Sequence, residues 1–160
     1  MMNQKLILSR SLYEMRPEQA STLTSAIAAR VSFGMFSVLA VDWEKNLVRR
    51  VFSTDAINYP VGGEKRLMES DWAMHVIARG EVFFASTPQS MAAAFADYDL
   101  LSSLGLEFAM NVPIRQNGKT CITLNLLREA EEFTPYDGCE VLRVFGQWFS
   151  KLNSNQNQTT

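Results

Sequence analysis

Two asparagines stand among apolar neighbours in the stretch "NVPIRQNGKTCITLN", which runs from Asn111 to Asn125. Met110, Val112 and Ile114 surround the first, and Leu124, Leu126 and Leu127 flank the second. A strand buried on both faces reads as a near-continuous apolar run, so each amide needs a partner; a buried one left without costs about 1 to 3 kcal/mol. An amide presents two donors and an acceptor in one plane. That suits it to orient a polar metabolite without adding charge, and equally to be satisfied by neighbouring backbone. Trp72 and His75 lie three apart in a helical segment, and Phe95 and Tyr98 repeat that spacing in the next, so each pair shares a helix face. His75 otherwise reads as a surface or core-edge residue, and Phe95 and Tyr98 as core. Tyr59, in a glycine-bearing loop, is a candidate lid whose plainer role is an aromatic plug. Asn111, Asn125, Tyr59, Trp72, His75 and Tyr98 are thus the candidate ligand-binding residues.

Nothing assembles into a catalytic constellation. Asp97, Asp99, Glu107 and Glu69 have no paired spacing and no partner base, and read as solvated helix or strand ends. There is no GxSxG and no glycine loop leading into a helix to cradle phosphate, and the single histidine completes no Ser/His/Asp arrangement. Cys121 falls in an apolar strand and Cys139 in a helix, with no CxxC, so neither a disulfide framework nor a zinc site is expected. No catalytic residue and no metal are assigned.

The elements that must position these residues follow from pattern and punctuation. Pro17 opens a helix in which Leu23, Ala26, Ile27 and Arg30 recur at helical spacing. "MFSVLAVD" and "LVRRVFST" make a hairpin around "WEKN", and Pro60, Gly62 and Gly63 keep the following stretch irregular. Ser70 or Asp71 caps a helix that Gly80 ends, "VFFAS" is a strand, and Thr87 and Pro88 start a helix predicted to run unbroken to Gly105. The asparagine-bearing hairpin comes next. A last helix, capped by Thr134 with Pro135 at its first position, carries Val141, Phe145, Trp148 and Leu152 as an apolar stripe. This order predicts an α+β layer sandwich, an antiparallel sheet with the terminal helices on one face and the middle helices and loop on the other. Residues 1–16 read as an N-terminal helical segment, 17–152 as the one domain, and 153–160 as a disordered tail.

Composition narrows the class of function. With 160 residues, 47% of them hydrophobic, the chain has the material for one real core. Net charge is -2, and the basic residues are scattered, with no cluster denser than the pairs Arg49, Arg50 and Lys65, Arg66, which argues against a nucleic-acid partner. The opening "MMNQKLILSR" holds too short an apolar run for a signal-peptide core, and no stretch is apolar for the roughly 18 residues that a membrane helix needs. A cytoplasmic protein without membrane contact is expected.

"YPVGG", "ARGEVFFAS", "SLGLEFAMNVPI" and "NGKTCITLNLL", in this order of elements, resemble the GAF domain, and in particular small bacterial proteins of little more than one such domain; the likeness covers roughly residues 18 to 152. The resemblance implies a small molecule held between the sheet and its middle helices, and terminal helices that dimerise or pass on a signal. It implies a stand-alone sensory or regulatory domain, a homodimer, reporting to a separate output protein. The alternatives are a degenerate scaffold whose pocket is filled by its own side chains, and an enzyme like the family's free methionine-R-sulfoxide reductases. The positions of Cys121 and Cys139 depart from the thiol pair that such reductases use, and His75 lies earlier than the histidine of bilin-binding members, so a non-enzymatic sensor is the leading expectation.

The turn between the strands decides where the amides point. A two-residue Asn117-Gly118 turn puts Asn111 and Asn125 on opposite faces, whereas a three-residue loop with Gly118 in a left-handed bulge position puts them on one. Residues alone permit both. Because in bilin-binding members the strand position matching Asn111 supplies polar pocket groups, the resemblance favours the three-residue loop and a shared face. The surplus apolar width of the last helix, beside the alanines of the first, predicts that the dimer forms there, unless the segment before Pro17 covers it.

Overall fold

A computed structural model describes residues 15–67 and 70–156. The elements run α1 (Pro17–Ala28), β1 (Met35–Asp42), β2 (Leu47–Ser53), β3 (Glu64–Arg66), a π-helix (Ala73–Ala78), β4 (Phe83–Ala85), α2 (Pro88–Ala94), α3 (Tyr98–Ser103), β5 (Phe108–Gln116), β6 (Lys119–Arg128) and α4 (Pro135–Gln156). The strands form one antiparallel sheet in the order β3-β2-β1-β6-β5-β4. The expected α+β sandwich is present.

Alternation along the central strands divides the sheet cleanly. Phe36, Val38, Met110, Val112, Leu124 and Leu126 face α1 and α4, where Leu23, Ile27, Val141 and Phe145 close the main core. The alternate positions Met35, Ser37, Leu39, Asn111, Asn125 and Leu127 face the middle helices and the loop before β3. Helix α4 begins where Thr134 and Asp137 cap each other reciprocally, Asp137 N–H donating to Thr134 Oγ1 at 3.3 Å and Thr134 N–H to Asp137 Oδ2 at 2.9 Å.

Several sequence expectations are corrected. The segment predicted as one helix from Thr87 to Gly105 is two, because Phe95 turns extended (φ −123°, ψ 113°) to sink its ring among Met91, Leu101 and Leu106. The helix after Ser70 winds as a π-helix, with Arg79 N–H donating to Met74 O at 2.9 Å. The irregular loop contains the short strand β3, joined to β2 by ladder pairs such as Arg49 with Glu64. Helix α4 continues to Gln156, through positions expected to be tail. Most of the predicted N-terminal segment, Glu69 and the last four residues lie outside the described residues.

The apolar band of α4 is also largely used within the chain. Trp148 is only 7% exposed, packed beneath α1, and of the large side chains in that band only Leu142 is well exposed, at 42%. Trp148 therefore belongs to the monomer core, and a change there tests folding before it tests any interface. Trp148→Ala is expected to lower stability by about 3 to 5 kcal/mol, read as a drop in the urea midpoint with an unchanged slope.

Candidate functional site

The hairpin turn is Asn117-Gly118, both with positive φ (53° and 77°), so it is the two-residue type I′ turn, and Gln116 faces Lys119. The three-residue loop is not formed. Yet Asn111 and Asn125 face each other directly, because the register shifts between Ile114, opposite Ile122, and Arg115, opposite Thr120. Cys121 is the extra residue of a β-bulge, and it returns the rest of β6 to the parity that the turn alone would have reversed. The amides share the face away from α1 and α4.

They are joined in a directed relay. Trp72 Nε1–H, a donor only, gives to Asn111 Oδ1 at 2.9 Å; Asn111 Nδ2 gives to Asn125 Oδ1 at 2.8 Å; and Asn125 Nδ2 gives to the carbonyls of Thr123 and Ser37 at 3.3 and 3.4 Å. With a donor at one end and carbonyl acceptors at the other, the orientation of both amides is determined. The π-helix brings Trp72 there. Val76 and Ile77 pack on Val41 and Val48, and Thr120 Oγ1 ties the helix end to β6 by donating to Ile77 O at 2.9 Å.

Above the relay lies a cavity of about 130 Å³ between the sheet, Trp72, the loop before β3 and the junction of α2 with α3. Met35, Leu39, Val48 and Leu127 from the strands and Leu101 from α3 give it apolar lining beside Ser37, Asn111 and Asn125. Tyr59 closes one side. Asp55 builds the turn that drops Tyr59 inward, accepting from Asn58 N–H at 3.0 Å, while Gly62, at a φ of +92° that favours glycine, donates to Arg50 O at 2.8 Å. The Tyr59 hydroxyl donates to Asp97 Oδ2 across the cavity mouth. Burial first, then that hydrogen bond and the Asp97 charge, push the phenol above its usual range, so it stays a neutral donor.

Arg50 and Asp97 complete the lining. The Arg50 guanidinium lies 5.1 Å from the centre of the Tyr59 ring and reaches Pro60 O at 3.4 Å, while its buried Nε has no partner. Burial lowers its pKa, and the nearby Tyr59 and Asp97 groups oppose the shift. Lys65 stands at the rim. Sequence reading passed over Arg50; Asp97, read as a solvated helix end, is exposed at the start of α3 as expected and also lines the cavity. Arg50 shares the parity of apolar Val48 in an alternating strand, which was a usable signal; Asp97 gave none, because its place depends on the break between α2 and α3.

Of the six sequence candidates, Asn111, Asn125, Tyr59 and Trp72 line the cavity. His75 and Tyr98 are elsewhere. The wider winding of the π-helix removes His75 from the face of Trp72; its Nε2–H donates to Val82 O at 2.8 Å and its ring stands edge-on to Phe83. Tyr98, beyond the helix break, donates its hydroxyl to Glu107 Oε2 at 2.7 Å. Cys121 packs toward the opposite core, its thiol donating to Ile114 O at 3.2 Å and pushed up to about 11 by burial, and Cys139 is exposed on α4. Among the described residues no three His, Cys, Asp or Glu side chains converge on a metal position, and no helix is long and apolar enough to cross a membrane.

No protein-family model and no curated protein matches the sequence. Solved structures do. The GAF domain of a two-component sensor histidine kinase from Bacillus halodurans matches with a TM-score of 0.63 at 16% identity, over 82% of this chain and 86% of that one. The GAF domain of a phosphoenolpyruvate-protein phosphotransferase from Coxiella burnetii matches with a TM-score of 0.63 at 12% identity, over 97% and 95%. A type II free methionine-R-sulfoxide reductase from Thermoplasma acidophilum matches with a TM-score of 0.59 at 11% identity, over 81% and 86%. The protein has the GAF fold.

Two measurements probe the site. Asn111→Leu leaves the Trp72 N–H and Asn125 Oδ1 unpaired and is expected to cost about 2 to 4 kcal/mol, while Asn111→Leu with Asn125→Leu costs less than the two single changes added; chemical denaturation of the four chains reads the coupling. A thiol reagent at pH 7 is expected to label Cys139 within the time of a free thiol and Cys121 far more slowly, because the Cys121 thiolate is scarce below pH 11.

Proposed function

We propose that this chain is a sensory or regulatory domain that binds a small molecule in the cavity and reports its presence to a separate output protein. The observation that carries the reading is a partly open cavity of about 130 Å³ bounded by both charged and apolar side chains under a loop latched by Tyr59 and Asp97. A cavity of about 150 Å³ accepts benzene, and pockets for drug-sized ligands begin near 300 Å³. The occupant in this reading is a compact metabolite. Occupancy reaches the far face through the sheet, because Asn111 lies between Met110 and Val112, which pack beneath α1 and α4. In this reading the protein acts in the cytoplasm as a homodimer through its terminal helices, with no catalytic step of its own; the reductase alternative would need Cys121, on the opposite core, to be a nucleophile.

A second reading is a scaffold without ligand. The relay from Trp72 to the strand carbonyls favours it, because it satisfies both amides with no occupant. Native mass spectrometry of freshly purified protein separates the two. The sensor reading expects a retained molecule of roughly benzene size, lost from a Leu39→Trp chain whose indole fills the cavity; a bare chain with unaltered stability on Leu39→Trp would reject it. The same spectrum reads assembly, where a mass of one 18.0 kDa chain rejects the dimer.

A further inference from the structure

We propose that the cavity takes a small monocarboxylate with a compact apolar body, its carboxylate gripped by Arg50. This rests on reading the cavity as a ligand site, and adds the chemical class of its occupant. The amides already have partners within the relay and keep only part of their bonding capacity for an occupant. The lining residue with unmet demand is Arg50, whose buried Nε–H points to no acceptor although buried donors are almost always paired. None of the ion pairs among the described residues involves Arg50 or Lys65. Asp97 supplies the only carboxylate in the lining, and its Oδ2 is taken by Tyr59. The lining therefore carries one positive charge in excess, which selects a monoanion.

Shape agrees with charge. The planar guanidinium matches the two oxygens of a carboxylate, and the cation is already half withdrawn from water, so an anion there is held more strongly than at the surface. Lys65 at the rim adds attraction without a fixed geometry. Beyond the carboxylate, Leu39, Val48, Leu101 and Leu127 leave room for a few methyl or methylene groups and offer them no polar partner.

Isothermal titration of the full chain with 3-methylbutanoate, its neutral isostere 3-methylbutanamide, and valine, which adds an ammonium group to the same skeleton, tests the assignment. The acid is expected to bind about ten- to hundredfold more tightly than the amide, and more tightly than valine. Arg50→Gln is expected to erase the preference for acid over amide, and Lys65→Gln to weaken acid binding only about two- to fivefold. Should Arg50→Gln fail to fold, the three ligands on the unaltered chain decide the matter alone. Equal affinity for acid and amide, or tighter binding of valine, overturns the monoanion and leaves a ligand site. No binding of the acid at millimolar concentration also overturns it, and if native mass spectrometry shows no retained molecule either, the ligand-site reading falls with it.

Discussion

One extra residue in β6 holds the rest of the site in place. A type I′ turn of two residues is the shape that the Asn117-Gly118 pair prefers, and by itself it would send Asn125 into the helix-facing core. The bulge at Cys121 reverses that outcome over the whole remainder of the strand, so that Asn125 and Leu127 line the cavity and Ile122, Leu124 and Leu126 face α1 and α4. An asparagine turned into that helix-facing core would have met Phe36 and Val141 with nothing to bond. The bulge and the apolar pattern of β6 therefore require each other.

From that register the polar side of the sheet follows in order. Asn125 is met by Asn111, Asn111 by Trp72, and Trp72 is positioned by a π-helix whose wider turn also carries His75 away. π-Helical turns are uncommon and tend to mark functional places. Here the widening lets one residue type, a donor-only indole, reach the sheet at the point where an acceptor was left over. The network pairs its members without an occupant, and it stiffens the floor of the cavity beneath the charged groups around it. Those groups are Arg50, Lys65 and Asp97, brought from β2, β3 and a helix junction with nothing in common in sequence.

The structural neighbours have the frame in common with this chain at low sequence identity. A sensor kinase domain, a phosphotransferase domain and a sulfoxide reductase all match over four fifths or more of its length at 11 to 16% identity. One fold hosting such different proteins means that function must be argued from the site. In this chain Cys121 lies across the sheet from the cavity, with its thiol pushed up by burial, and Cys139 is exposed on α4.

Local pattern was enough for most of the frame. Period-two strands, proline at first helical positions, the Thr87 and Thr134 caps and the glycines at 80 and 105, both at positive φ, are decided within a few residues of themselves, and so could be read in order along the chain. Asn111 and Asn125 were visible as polar exceptions to an apolar run, and Tyr59 as the aromatic of a glycine loop. Tertiary structure alone decided the rest, because those outcomes depend on energies between distant segments. The bulge forms since the core must stay apolar, the helix breaks at Phe95 since its ring is worth more buried than its backbone is in a helix, and Trp148 is covered by α1 since that neighbour lies more than a hundred residues away in sequence. Arg50 and Asp97 came together only when those choices set them around one cavity, where the partial burial of Arg50 makes its charge matter more than it would at the surface.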